Sequence, residues 1–401
     1  MLFKKVSRVL TLLLIISLTA SDIYAQDKRT QFPRFLSRTY FSLNIGYINY
    51  PFSEAQLEPG FKPASIHIPH VGVSLAVLCY RFDKNISGQL IYMRPVNWVQ
   101  YKDVNGDNTF HSVFLNILGF TAKSGLSLTK DLSVYGEAGP ALFTRLSTQK
   151  DDSVLLKGAT YLTLLAGAGL EYTINNKWKV RAGTLWSPAN DKAKQPHTIF
   201  VSGGITYTMH PLPEKIVQRN LNSGFIFPRN SIQAGYTTNA PGYGINRFFG
   251  EGAVPVFWTG DVRIRQGISV QYQRNIFHGR KIFSVDWGSS VSFWKTEKNN
   301  DAFITWSVFP LFRFTLLRFK PIDFYFDYSA AGPAYISKVI LDDKNTGKHF
   351  TFQDFMGIGI FAGKKRNINA EIKIQHYSNG NIFTANPGLQ VPLTFNAGFA
   401  W

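Results

Sequence analysis

A single cysteine in 401 residues, Cys79, excludes an internal disulfide, and its distance from the N-terminus excludes a lipoprotein anchor of the usual kind. Its thiol reads as a small apolar group in a strand. Beyond the N-terminal segment no run approaches the ~20 apolar residues of a membrane helix. Charged residues are scarce at 17%, against about 25% in an ordinary soluble domain. Acidic ones are the scarcest, 25 against 43 Lys and Arg, for a formal charge of +18. The eight His are scattered without metal-ligand spacing, so neither a metal nor another cofactor is expected.

The N-terminus has the features of an address. Lys4, Lys5 and Arg8 precede an apolar run at 9–20, and Ile23 and Ala25 stand before a cut at Gln26. Residues 1–25 therefore read as a secretory signal peptide, the run being too short to cross a bilayer. An uncleaved anchor helix is the alternative. Export removes nucleic acid as the partner of the positive charge. Two explanations of that charge remain: attraction to an anionic surface such as phosphorylated lipopolysaccharide, and an excess of basic residues in loops and lumen.

Aromatics are plentiful, 15% of the chain with 34 Phe, as are 33 Gly. Strands alternating between lipid and lumen give such a composition. In 40–48, Phe41, Leu43, Ile45 and Tyr47 share one face while Tyr40, Ser42, Asn44 and Gly46 share the other. In 71–79 the apolar face is Val71, Val73, Leu75, Val77 and Cys79. Further segments fall near 86–98, 110–120, 125–143, 159–174, 178–187 and 198–208. Period-two patterning with turns such as Asp83-Lys84-Asn85 predicts antiparallel strands. Eight of them can close a barrel and leave no unpaired edge. The fold class is thus all-β, an outer-membrane antiparallel β-barrel, with 30–208 as a first eight-stranded unit.

Pro211, Pro213 and polar residues interrupt the pattern, so 209–229 is read as a linker. A second set follows over 230–401, near 230–239, 254–275, 281–296, 302–318, 321–338, 349–363, 366–378 and 392–401. One barrel of about sixteen strands would use the same segments; the interruption favours two tandem barrels. The halves echo each other as in a duplication. Ala138-Gly139-Pro140-Ala141 recurs as Ala331-Gly332-Pro333-Ala334, and Gly167 and Gly169 recur as Gly357 and Gly359. Shared barrel grammar could produce the same echoes. The last strand alternates to an aromatic end, Trp401, similar to the signal that such barrels present to the barrel assembly machinery.

Chemistry shows in the segment before the last. Ile372, Ile374, His376 and Ser378 share one parity; Glu371, Lys373 and Gln375 share the other. The isoleucines mark the lipid side. A His and a hydroxyl on that side are costly unless used. With both termini periplasmic they lie at the outer end of their strand. Same-face residues two apart have Cα atoms roughly 6.5–7 Å apart, close enough for a His base to activate a Ser nucleophile. Polar residues marking the membrane boundary are the bland alternative.

His376-Tyr377-Ser378-Asn379-Gly380, followed by Asn386-Pro387-Gly388, resembles the signature of the lipid A 3-O-deacylases, the PagL-type barrels. The resemblance covers the second half and is specific over the last 30 or so residues. It implies hydrolysis of the ester-linked acyl chain at the 3-position of lipid A, with lipopolysaccharide as substrate partner, outer-membrane lipids as surroundings, and the outer membrane as location. Carried over, it makes Ser378 the nucleophile and His376 the base. Asn379 and Asn386 would position the site or supply oxyanion donors. This chain departs from the family where the acid that orients the His falls on Gln390, an amide that can hold the ring but adds no charge. In the first half Trp186 stands where His376 stands, so that barrel is expected to be non-catalytic. The competing function is a non-catalytic barrel pair with a structural, adhesion or binding role.

Overall fold

Alternation of apolar and polar side chains is met by sixteen long strands. The computed structural model describes residues 28–83, 85–151, 153–251 and 260–401; the expected signal peptide lies outside them. The first eight strands are β1 (Thr39–Asn49), β2 (Val71–Arg81), β3 (Ile86–Pro95), β4 (Leu115–Ser127), β5 (Leu132–Arg145), β6 (Ala159–Thr173), β7 (Trp178–Ser187) and β8 (Thr198–Thr208). The next eight are β9 (Asn230–Thr238), β10 (Val262–His278), β11 (Phe283–Thr296), β12 (Ala302–Arg318), β13 (Ile322–Ile336), β14 (Phe350–Ala362), β15 (Ile368–Ser378) and β16 (Leu389–Ala400).

Each set closes on itself. β1 pairs with β8 (Phe41↔Tyr207, Leu43↔Ile205), and β9 pairs with β16 (Ile232↔Phe399, Tyr236↔Phe395), giving two separate antiparallel barrels. Closure satisfies every edge, which the bilayer demands. One end of each barrel has short turns, at 82–85, 128–131 and 174–177 in the first and 279–282, 319–321 and 363–367 in the second. The other end carries the long connections and is the outer one.

Parity holds. Leu43, Ile45 and Tyr47 are more than half exposed on the outside, while Ser42 and Asn44 are buried within. Apolar residues fill the outer part of each lumen, and paired polar groups fill the rest. In the first barrel Lys123 pairs with Glu171, and Arg181 meets Glu137 at 2.9 Å and Tyr135 Oη at 2.6 Å. In the second, Arg313 pairs with Asp286 and donates to Gln273 Oε1 at 2.7 Å, and Lys373 donates to Gln271 Oε1 at 2.6 Å. Such charges are tolerated because each meets its partner.

Local departures from the expected segments have local causes. The turn between β4 and β5 comes later than expected, because Thr129 Oγ1 accepts the Leu132 amide at 3.0 Å and sets the turn there. Residues 99–104 and 110–113 leave the barrel for a small outer sheet with Pro63–His67. Within the linker, Glu214–Leu221 forms helix α1. The outer connection after β9 holds a second helix, α2 (Gly244–Glu251), where only loop was expected. The strand expected from 254 begins at Val262, and 252–259 lie outside the described residues. Phe249 of α2 packs on the cluster of Met356 and Ile374 on the barrel's outer wall, against which Leu393 also packs. Lipid would cover that wall equally well, so hydrogen bonds must fix the helix. Asn246 Nδ2 donates to Val391 O at 2.9 Å, and Tyr243 Oη donates to Ile264 O at 2.8 Å.

Candidate active site

β14, β15 and β16 lie side by side near their outer ends, and one transverse row crosses them: Asp354, His376, Gln390. Parity turns all three outward. Ile358 and Ile372 on the same faces are exposed, whereas Gln353, Glu371 and Gln375 point into the lumen. A register shift between Lys373 and Gln375 brings Gln390 opposite His376, with Val391 turned inward among the apolar residues of the outer lumen. Although outward, Asp354, His376 and Gln390 are buried, at 7%, 2% and 3% exposure. α2 lies over the outer wall just below them, against Met356 and Ile374.

Asp354 was not singled out by the sequence, although it breaks the apolar face of Phe350, Phe352, Met356 and Ile358 as His376 breaks its own. Its Oδ2 lies 3.4 Å from His376 Nδ1. Its Oδ1 accepts the Ala331 amide at 2.6 Å. That amide is presented by a bulge between Ser329 and Gly332, where Ala331 takes the left-handed φ of 54°. The carboxylate is therefore fixed before it meets the imidazole. Gln390 flanks His376 on the other side, and its Nε2 has no hydrogen-bond partner among the described residues. A buried donor without a partner costs about 1–3 kcal/mol.

Ser378 follows His376 on the same face, opposite Phe352, and is partly exposed. Phe352 stacks edge-on against Phe350, with ring centroids 5.0 Å apart. Phe350 lines an open groove of about 500 Å³ with Val339, Lys348, His349 and Phe383. Asn379 and Asn386 build the loop beyond Ser378. The Asn379 amide donates to Asn386 Oδ1 at 2.9 Å, and Asn379 Nδ2 donates to Thr346 O at 3.2 Å and Ala385 O at 2.6 Å. Asn386 Nδ2 donates to Asn381 Oδ1 at 2.7 Å. With their donors engaged in this way, both asparagines position the loop. In the first barrel Trp186 is exposed on the outer wall, and Ser187 lies 3.4 Å from Thr163 Oγ1.

Two closed barrels with apolar exteriors and polar lumens define an outer-membrane protein. Residues 266–398 match the model of the family described as lipid A 3-O-deacylase (PagL), and residues 95–210 match that of the OmpA-like transmembrane domain. The second half is thus similar to the family whose signature its last strands resemble. No curated protein matches the chain. Among solved structures, similarity is found to the outer membrane enzyme PagL at 14% identity, over 42% of this chain and 97% of that one, with a TM-score of 0.28. Neisserial surface protein A matches at 14% identity over 42% and 96%, TM-score 0.28. The N-terminal β-barrel domain of Pseudomonas aeruginosa OprF matches at 16% over 42% and 96%, TM-score 0.25.

Proposed function

We propose that the second barrel is a serine ester hydrolase that removes the 3-position acyl chain from lipid A in the outer leaflet. The observation that carries the reading is the outward, yet covered, row Asp354–His376–Gln390 with Ser378 next along the face. With Nδ1 turned to Asp354, His376 Nε2 is the nitrogen that takes the Ser378 proton. Ser378 Oγ then bonds to the ester carbonyl carbon. The tetrahedral intermediate collapses, the sugar 3-oxygen leaves with the proton from His376, and the acyl chain stays on Ser378. Water, deprotonated by His376, attacks the acyl-enzyme and releases the hydroxy fatty acid and free Ser378. Asp354 is a positioning group that holds the tautomer and supports the imidazolium. Gln390 Nε2 is the unengaged donor suited to the carbonyl oxygen as charge gathers there. The groove beside Phe350 accepts the acyl chain, which is already at this depth in the bilayer.

Mass spectrometry of lipid A from cells with and without the protein tests the reaction. The expected result is loss of one hydroxyacyl chain with the wild type and none with Ser378→Ala or His376→Ala, both assembling normally. Ser187→Ala in the first barrel should be as active as wild type. Release at the wild-type rate by Ser378→Ala would remove the proposed nucleophile.

A further inference from the structure

The first barrel carries an outward polar pair that lipid does not explain. Asn116 of β4 and Thr144 of β5 face each other across the strands, on the parity of Leu118, Phe120 and Leu142. Phe120 is exposed, but Asn116 and Thr144 are 4% and 1% exposed. What covers them is the loop that follows Ser378. Asn116 Nδ2 donates to Asn381 O at 3.3 Å, and Thr144 Oγ1 donates to Ile382 O at 2.9 Å. Gly158 lies against the same loop, where a Cβ would stand 3.2 Å from Thr384 Cγ2. Both strands present these residues at the outer end, the level of Ser378.

The contact continues into the site. Asn381 Oδ1 accepts from Asn386 Nδ2, and Asn386 Oδ1 accepts from the amide of Asn379, the residue after Ser378. Three asparagines thus connect the wall of one barrel to the candidate nucleophile of the other. Asn381 makes the turn at a left-handed φ of 57°, a conformation open to Asn at little cost. A loop of ten residues, 379–388, at a lipid boundary has few other means of keeping one shape.

We infer that the first barrel is a positioning subunit of the hydrolase, in which Asn116 and Thr144 clamp the 379–388 loop and so fix the backbone beside Ser378. This rests on the ester-hydrolase reading for its kinetic consequence, though the clamp itself does not. The polar pair provides the two donors, the loop provides the two carbonyls, and near the membrane such bonds are not replaced by water.

The test uses the full chain with Asn116→Leu and Thr144→Val combined, Thr144→Ser as the conservative variant, and Thr184→Val on the exposed wall as control. Two quantities are read: hydrogen exchange of the 379–386 amides, and kcat and KM on lipid A. In the double variant exchange should accelerate and kcat should fall by about 10²-fold, the effect of misplacing a reacting group by an ångström. KM should stay within about twofold, and Thr144→Ser and Thr184→Val should behave as wild type. Unchanged exchange together with unchanged kcat in the double variant overturns the clamp. Accelerated exchange in a protein whose wild type leaves lipid A intact upholds the clamp and overturns the hydrolase reading instead.

Discussion

Asp354, His376 and Gln390 are polar residues on a wall built for lipid, and the two flanking groups divide two tasks. The carboxylate is tied to Ala331 N and turned to His376 Nδ1, while the amide keeps an unengaged N–H. Asp354→Asn should lower kcat by about 10²–10⁴-fold with the barrel intact, since loss of the charge leaves the imidazolium unsupported. Gln390→Glu separates the tasks. If Nε2 serves the carbonyl oxygen, removing the donor and adding a negative charge should slow the enzyme by about 10²–10³-fold. If position 390 orients the His, as the family comparison in the sequence implied, the same variant should be faster than wild type. Steady-state rates of the two variants on lipid A decide between these roles. Reading His376 and Ser378 as base and nucleophile came from the resemblance; that they face outward was legible from parity, because each interrupts an apolar face. Asp354 does the same on β14, but its meaning depends on standing opposite His376, a register that no local pattern fixes. Gln390 reaches that row only through the shift after Lys373.

The strands were readable and the outer connections were not, for one physical reason. A strand in lipid repeats with period two, whereas an outer loop answers to contacts far away in sequence. α2 illustrates this, because its place on the wall is set by Asn246 meeting Val391. The 297–301 and 337–349 connections are joined the same way. Lys338 pairs with Asp301, Asp301 Oδ2 accepts the Asp342 amide at 2.8 Å, and Asp342 Oδ1 accepts Thr296 Oγ1 at 2.5 Å. The Lys338 ammonium, then the Asp342 amide, hold the Asp301 carboxyl below the usual carboxylate range. A depressed carboxylate contributes stability above its unfolded pKa of about 3.9, and that contribution is lost as pH falls through the lower folded value. Pepsin nicking across 337–349 should therefore be slow at pH ~5 and rise below pH ~3.9. In Asp301→Asn it should be fast already at the higher pH and change less on acidification. Equal pH dependence in both proteins would mean that Asp301 does not hold the loops. The consequence reaches the site, because Thr346 O in this connection accepts from Asn379 Nδ2.

At the scale of the molecule, the choice between two barrels and one of about sixteen strands rested on the interruption at 209–229. That stretch holds α1 between two closed sheets. The sequence did not show that the barrels meet: the clamp residues Asn116 and Thr144 look like any strand-end polar residues until the 379–388 loop covers them. Nor did it show that residues before β1 reach the second barrel and the linker end that leads into it, where Arg29 Nη1 donates to Asn275 Oδ1 at 3.2 Å and to Phe227 O at 3.1 Å. Phe32 also meets Phe277, with ring centroids 4.8 Å apart. Closure and contact make opposite demands on a fragment. Residues 222–401, exported with a signal peptide, contain every strand pair of the second barrel, so they should fold and show heat-modifiable migration in gels. They lack both donors of the clamp, so their kcat on lipid A should fall to about the level of the Asn116→Leu/Thr144→Val double variant of the full chain. A fragment that never folds while the full chain does would mean that the second barrel needs the first to assemble. A fragment as fast as the whole protein would mean that the first barrel contributes nothing to the reaction. Intermediate behaviour has one meaning here, because among the described residues the two barrels share no strand pairing: folding tests closure and rate tests the clamp.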